Sequence, residues 1–386
     1  MAGQSKAKWF LIILAVFIAV TMLACGARKK KTTVRIEPPD IYTDGGMKLL
    51  EQGRYEEADR EFAWALKQNP KNARASIGMG LAKIHQGNPD AALDSLEAGC
   101  KYAKRNEDKL FCKVSRIRIY TLNKQDRGWF LETRSAFDEA VKINPQSSDA
   151  FYYMGLACKE NLNFDEAGRM FREVVGINDT HVNEAQHELE QIQKIRRTMA
   201  TTKTGRAIAL KERISRADCA ALIVEEMKLE KILNRQAAAE GKGVISAKKP
   251  GKNATANTAK DIADHPFRTH IESVLLLGIA GLEKYPDGTF RPEEYLNRET
   301  YAVIMADLME KLTGNQELKK PFEGAESTFA DVKTDLPGYS AVMMVTSRGI
   351  MEPKNKNSAE FVPLGAVSGA DALSGMRKLK EELKIY

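Results

Sequence analysis

In the segment GRYEEADREFAWALKQNP, Gly53 to Pro70, apolar and small residues fall at Tyr55, Ala58, Phe62 and Ala65. Steps of three and four put those side chains on one stripe of a helix, and Pro70 stops it. The same ladder starts again at Gly87, with Ala92, Leu96 and Gly99, which is 34 residues on; Gly46 and Gly80 are also 34 apart. A third copy, NFDEAGRMFREVV, carries Phe164, Ala167, Phe171 and Val174 behind Gly155, and a partial copy, FDEAVKINP, ends at Pro145. Gly80 and Gly155 are 75 apart, two periods plus 7, so the middle copy, about residues 107–145, is lengthened. Phe130 and Phe137 keep its helical period. Small residues at Gly46, Ala58, Gly80, Ala92, Gly155 and Ala167 predict antiparallel helix pairs in close approach, with aromatics between successive pairs. The run NEAQHELEQIQKIRRTMA, Asn183 to Ala200, predicts one further helix, apolar on one side, that caps the stack.

The second half changes rhythm. Helix starts recur at ISRAD (Ser215, Asp218), LNRET (Asn297, Glu299) and AVSGAD (Ser368, Asp371). The first and last are capping boxes, and the middle one is an Asn cap with an acid in the first turn. The apolar runs CAALIVEEM, YAVIMADLM and DALSGMRKL follow them. Upstream of the second and third starts lie an Asp motif (Asp264, Asp331), an apolar helix, Gly-Ile (Gly278, Gly349), a loop and Phe-x-Pro (Phe290 to Pro292, Phe361 to Pro363). The loop YPDGTFRP, Tyr285 to Pro292, is a turn: Pro286 fixes φ and Gly288 is free to take a positive one. One Asp-Gly pair is far short of a calcium loop, so Asp287 reads as a turn residue. GKGVISAKKPGKNATANTAK, residues 241–260, is a basic low-complexity linker.

Residues 41–181 resemble the tetratricopeptide repeat, and residues 205–386 resemble the S-layer homology domain, on the motifs just quoted. The predicted fold is therefore all-α: a tetratricopeptide-type solenoid, a connecting helix over 182–204, then a helical bundle of pseudo-threefold symmetry. The bundle would comprise a partial repeat over 205–240, the linker, and repeats over 261–315 and 328–383. The first resemblance implies a groove for a protein partner, faced by Ile77, Leu81, Ile84, Tyr152 and Leu156; packing inside the stack is the alternative for these side chains. The second implies clefts that bind anionic cell-wall polysaccharide or peptidoglycan. Matching the family's Thr-Arg-Ala-Glu stretch places Arg216 and Arg298 as carboxylate-binding arginines and Ser215 and Asn297 as their caps, with Arg291 as a further candidate. A helix N-terminus with free N–H groups and a nearby guanidinium suits such an anion. Gly369 stands where the third arginine is expected, which predicts loss of anion binding there. The first repeat keeps only its second half, with TTKTGRAIALKER in place of its first helix.

The ends and the composition narrow the function. Lys6 and Lys8 precede the apolar run Trp9 to Ala24, and MLAC ends at Cys25, an export signal over residues 1–25. It resembles a bacterial lipobox that would be lipidated at Cys25, with residues 26–40 as a basic tether; an uncleaved membrane anchor is the alternative, since the apolar run just reaches spanning length. Gly26 favours outer-membrane sorting, facing the periplasm. Cys100, Cys112, Cys158 and Cys219 form no metal spacing and fall in apolar helical patterns, as free buried residues do; a Cys100–Cys112 disulfide is the second reading. The net charge of +7 is spread along the chain, and no basic stripe with interleaved aromatics argues for nucleic acid. No phosphate loop, nucleophile elbow or metal spacing appears, His181 and His187 read as surface residues, and nothing singles out Glu190 or Glu225 as a catalytic acid. The expectation is a non-enzymatic, cofactor-free envelope protein that holds membrane lipid, protein partners and cell-wall glycan. An assembly factor of an envelope secretion, pilus or polysaccharide-export machine, its bundle meeting protein, is the alternative.

Overall fold

In the computed structural model the described residues are 39–124, 127–228, 234, 258–355 and 359–384. Cys25 and the linker up to residue 257 lie outside them. Among the described residues regular structure is helical, with isolated β-bridges but no strand. No helix among them is long and apolar enough to cross a membrane. The chain divides into two compact units at residues 104 and 105.

The first unit holds α1 (Pro39–Glu51), α2 (Tyr55–Gln68), α3 (Ala73–His85) and α4 (Pro89–Tyr102). Asn72 caps α3 by accepting the Ala75 N–H at 3.0 Å. α1 packs on α2, α2 on α3 and α3 on α4. The fully buried Phe62 ring is the wedge. A Cβ at Gly46 or Gly78 would come within 2.6 or 2.5 Å of it, so only glycine admits the ring. Dispersion and apolar burial hold this contact, and both are lost if the ring is held off by a methyl group.

The second unit opens with α5 (Asn106–Leu122), α6 (Trp129–Ile143), α7 (Ser148–Glu160), α8 (Phe164–Ile177) and α9 (Val182–Arg197). Here Phe171 enters a notch at Gly155, 2.6 Å from where a Cβ would be. Phe171 stands to Gly155 as Phe62 stands to Gly46, 16 residues apart in each case. α9 packs along α8 as the terminal helix expected from the sequence.

There follow α10 (Lys203–Ala209), α11 (Arg216–Glu225), α12 (Arg268–Leu276), α13 (Arg298–Thr313), a 3₁₀ turn (Lys320–Phe322), α14 (Tyr339–Ser347) and α15 (Gly369–Glu382). α11 packs on α12, α13 on α14, and α15 on α10, so three helix pairs close a ring. The short α10, folded from TTKTGRAIALKER, stands as the first helix of the first pair. At the centre meet Ile214, Leu296 and Val367, each at most 3% exposed. The Leu296 N–H donates to the Ile214 carbonyl at 3.0 Å, and the Ile214 N–H to the Val367 carbonyl at 2.9 Å. Each of the three residues immediately precedes a cap residue, so the three helix starts are set from one axis.

α10 is held by Glu226, which follows α11. Its buried carboxylate accepts the N–H groups of Thr201 and Thr202 and both their hydroxyls at 2.7–3.1 Å. Burial pushes this carboxyl up, but the Thr202 and Thr201 hydrogen bonds outweigh it and hold Glu226 below the ordinary range. A Cβ at Gly205 would meet the Glu226 Oε1 at 2.1 Å, so this close approach also requires glycine.

Two sequence expectations are corrected. Asp261, not Asp264, is the counterpart of Asp331. Asp261 accepts the N–H groups of Phe290 and Arg291 at 2.8 Å each, and Asp331 those of Phe361 and Val362 at 2.9 and 2.6 Å. Cys100 and Cys112 are each disulfide-bonded, whereas Cys158 and Cys219 are free and buried. Burial pushes the Cys158 and Cys219 thiols up to about 12, which makes them inert hydrophobes.

Candidate functional site

The YPDGTFRP corner folds back on itself. The Gly288 N–H donates to the Tyr285 carbonyl and the Tyr285 N–H to the Thr289 carbonyl, both at 2.9 Å, with Gly288 at φ +81°. Asp287 accepts the Thr289 hydroxyl at 2.6 Å and its N–H at 2.9 Å. Those two bonds, with Arg291 behind them, draw the exposed carboxyl down to about 2. Arg291 lies in the left-handed region at φ +55°, and Val362, its counterpart in the next repeat, at φ +58°. A β-branched residue is unusual there. The paired amides on Asp261 and Asp331 over-determine both conformations.

The corner presents a layered stack. The Arg216 guanidinium carbon lies 4.7 Å from the Phe290 ring centroid and 5.0 Å from that of Tyr285, whose ring has the Arg291 guanidinium 3.9 Å away. Phe290, Arg216, Tyr285 and Arg291 thus alternate ring and cation from the core outward. Phe290 is fully buried, Arg216 is 5% exposed, and the Arg291 side chain is half exposed. In the next repeat Arg298 lies 4.5 Å from the Phe361 ring in the same way.

Both buried arginines are engaged across the junction. Arg216 donates from Nε to the Phe290 carbonyl, from Nη1 to Gly281 and from Nη2 to Glu283, at 2.8, 2.9 and 2.7 Å. Arg298 donates from Nε to Phe361 and from Nη2 to Glu352, both at 2.6 Å. Burial draws both guanidiniums down from their ordinary value, and the carbonyl dipoles supply what the lost water did.

The helix starts are equally committed. Ser215 and Asp218 form the expected capping box, and Asn297 caps α13 by accepting the Thr300 N–H at 2.8 Å. The next two amides of each helix go to the following repeat: Arg216 and Ala217 to the Glu294 and Pro292 carbonyls, Arg298 and Glu299 to those of Gly365 and Pro363, at 2.9–3.0 Å. The free N–H groups expected at Ser215 and Asn297 are therefore already paired, by carbonyls that the sequence places about seventy residues downstream.

The third junction differs. Ser368 caps α15 by accepting the Asp371 N–H at 3.1 Å, and the Gly369 N–H donates to the Lys211 carbonyl at 2.8 Å. A Cβ at Gly369 would lie 1.7 Å from the Ile208 carbonyl oxygen. Glycine stands in the arginine's place because the end of α10 abuts the helix start and leaves no room for a side chain. Beside this start is a cleft of about 520 Å³, walled by α9, the α10–α11 turn and the loop before α15. Lys194, Lys211, Lys354 and Arg298 line it, with Asp371 and Glu188. His187, expected on the surface, also lines it.

Elsewhere the expected groove residues divide. Ile77 and Leu81 are fully buried and Ile84 is 9% exposed, so these three pack inside the stack rather than face a groove. Tyr152 and Leu156 are partly buried. His181 stacks on Tyr152 at 4.2 Å and reaches Asp149 at 3.4 Å, and burial pushes the Tyr152 phenol up to about 12. Among the described residues no group of His, Cys, Asp and Glu could hold a metal ion.

The family model for the tetratricopeptide repeat matches residues 43–105, and that for the S-layer homology domain matches residues 328–373. The chain carries both modules. Among solved structures it is similar to TTC0263, a thermophilic tetratricopeptide protein of Thermus thermophilus, with 19% identity and a TM-score of 0.35, covering 52% of this chain and 98% of that one. It is also similar to the MamA protein, with 20% identity and a TM-score of 0.27, covering 41% and 87%. No curated protein matches. Tetratricopeptide repeats suggest protein partners, and the S-layer homology domain suggests association with the cell envelope and its wall polymers. Neither module type is catalytic.

Proposed function

We propose that this is a non-enzymatic envelope protein, tethered to a membrane through lipid on Cys25, that holds a protein partner on its solenoid and an acidic cell-wall polymer on its helical ring. The ring contact is assigned to Arg291. It ends the cation–aromatic stack at the solvent, where Tyr285 and Asp287 fix its guanidinium as a fork for carboxylate. Arg216 and Arg298, with the caps Ser215 and Asn297, act from beneath by setting the loop that presents it. Tyr152 and Leu156 are the solenoid residues assigned to partner contact. The single observation that carries the reading is the closed ring of helix pairs, one of which the S-layer homology match covers, with an ordered arginine at its surface. The disulfide-bonded Cys100 and Cys112 agree with an exported protein.

Sedimentation of the full chain with isolated cell-wall sacculi tests the glycan assignment. The protein pellets, and Arg291→Ala stays in the supernatant with unchanged helix content. Absence of pelleting would transfer the ring to protein contact, as in an assembly factor. Intact mass of membrane-extracted protein tests the tether: residues 1–24 are missing and acyl chains are present on Cys25.

A further inference from the structure

The cleft at the third junction is a second site, built unlike the corner at Arg291. Within it Lys159 pairs with Glu188 at 2.7 Å and Lys194 with Asp371 at 3.0 Å, while Lys211 turns to Asp218 at 2.7 Å. Arg298 and Lys354 add positive charge to the lining beyond those pairs. The second amide of α15, on Ala370, has no acceptor among the described residues. Its counterparts on Ala217 and Glu299 donate to the Pro292 and Pro363 carbonyls. Ala370 is only 5% exposed and lines the cleft, so its N–H is aimed into the space at the positive end of a 14-residue helix. Val362 lines the cleft too, and Leu364, two residues on, is 81% exposed. The residue at that place in the preceding repeat is Glu293. Among the described residues no Phe, Tyr or Trp lines the cleft, so it offers no aromatic platform for a sugar ring.

We infer that this cleft captures the C-terminal carboxylate of a partner polypeptide whose last side chain is apolar. The carboxylate meets the Ala370 N–H, Arg298 and Lys354, and the apolar side chain covers Leu364 and Val362. A vacant backbone amide beside fixed cations is the means by which chain termini are recognised, and the volume is that of an ordinary ligand cleft. The assignment stands apart from the glycan reading, which rests on Arg291, and it gives half the recognition wall to α9, the last helix of the solenoid.

The probe is a fluorescein-labelled pentapeptide, Ser-Gly-Ser-Glu-Leu, titrated by anisotropy against the full chain. The free acid binds saturably and more weakly as salt rises, and its C-terminal amide binds at least about tenfold more weakly. Lys354→Glu and Leu364→Asp, both at the surface, each weaken the acid about tenfold while Arg291→Ala leaves it unchanged. Equal binding of acid and amide, or no binding of either, overturns the inference. So does displacement by glucuronic acid together with loss in Arg291→Ala, an outcome that returns the cleft to glycan. Sacculus binding can fail while peptide binding persists, so the two readings are separable.

Discussion

The first two junctions of the ring and the third solve one problem in opposite ways. Where a long loop is present, after α12 and α14, its carbonyls cover the next helix start and an arginine threads beneath them. Where only the short α10 is present, backbone meets backbone at Gly369, and one amide with a cationic cleft is left open. The lesson is that the arginine of this repeat is first a strut. It stands wherever a loop needs its carbonyls gathered, and it goes where there is no loop. Ligand chemistry then moves to the places the struts leave over, Arg291 outside them and the cleft beside Gly369.

The largest effect expected from breaking the comparison is at the struts. Arg216→Ala orphans three carbonyls and removes a buried cation between two rings, and should cost about 4 kcal/mol of unfolding free energy by chemical denaturation. Arg216→Lys recovers only part of that, because an ammonium cannot fork to three carbonyls. Gly369→Ala comes next, at about 3 kcal/mol, since its methyl must displace the Ile208 carbonyl. The same change at an open glycine such as Gly176, where nothing lies within 4 Å, should be nearly silent.

Third is the carboxylate that fixes α10. Glu226→Gln should cost about 2 kcal/mol, measured by the same denaturation. Because its folded value is lowered, the stability it contributes is complete above the unfolded glutamate range, near pH 4.5, and is lost as pH falls through the folded value. Acid titration of the variant should be flatter there than that of the native chain. The smallest effect sharpens the match between the two loops. Val362→Gly relieves a left-handed β-branched residue and should stabilise by about 1 kcal/mol. Arg291→Gly should gain less, because it also forfeits the contacts with Asp287 and Tyr285.

Much of this was legible because it is local. The period of 34, the notched glycines at Gly46 and Gly155, and the caps at Ser215, Asn297 and Ser368 depend on neighbours within a turn or two, and the sequence displays them. Other expectations failed for want of distant information. Asp261 and Asp264 lie three residues apart, and only the position of the Phe290 and Arg291 amides separates them. Ile77, Leu81 and Ile84 lie on a helix apolar all round, so no periodicity could tell groove from core. Arg216 read as a ligand residue because the carbonyls it serves lie 65 to 74 residues away.

The sequence alone determined that the chain is helical, that it repeats in two rhythms, and where its second-half helices begin, since propensity, period and capping act over a few residues. Only the tertiary structure decided which arginines are free, why Gly369 must be glycine, and that α10 completes the ring. Those follow from close contact between segments far apart in the chain, and sterics and hydrogen bonding there are settled by position rather than by residue type.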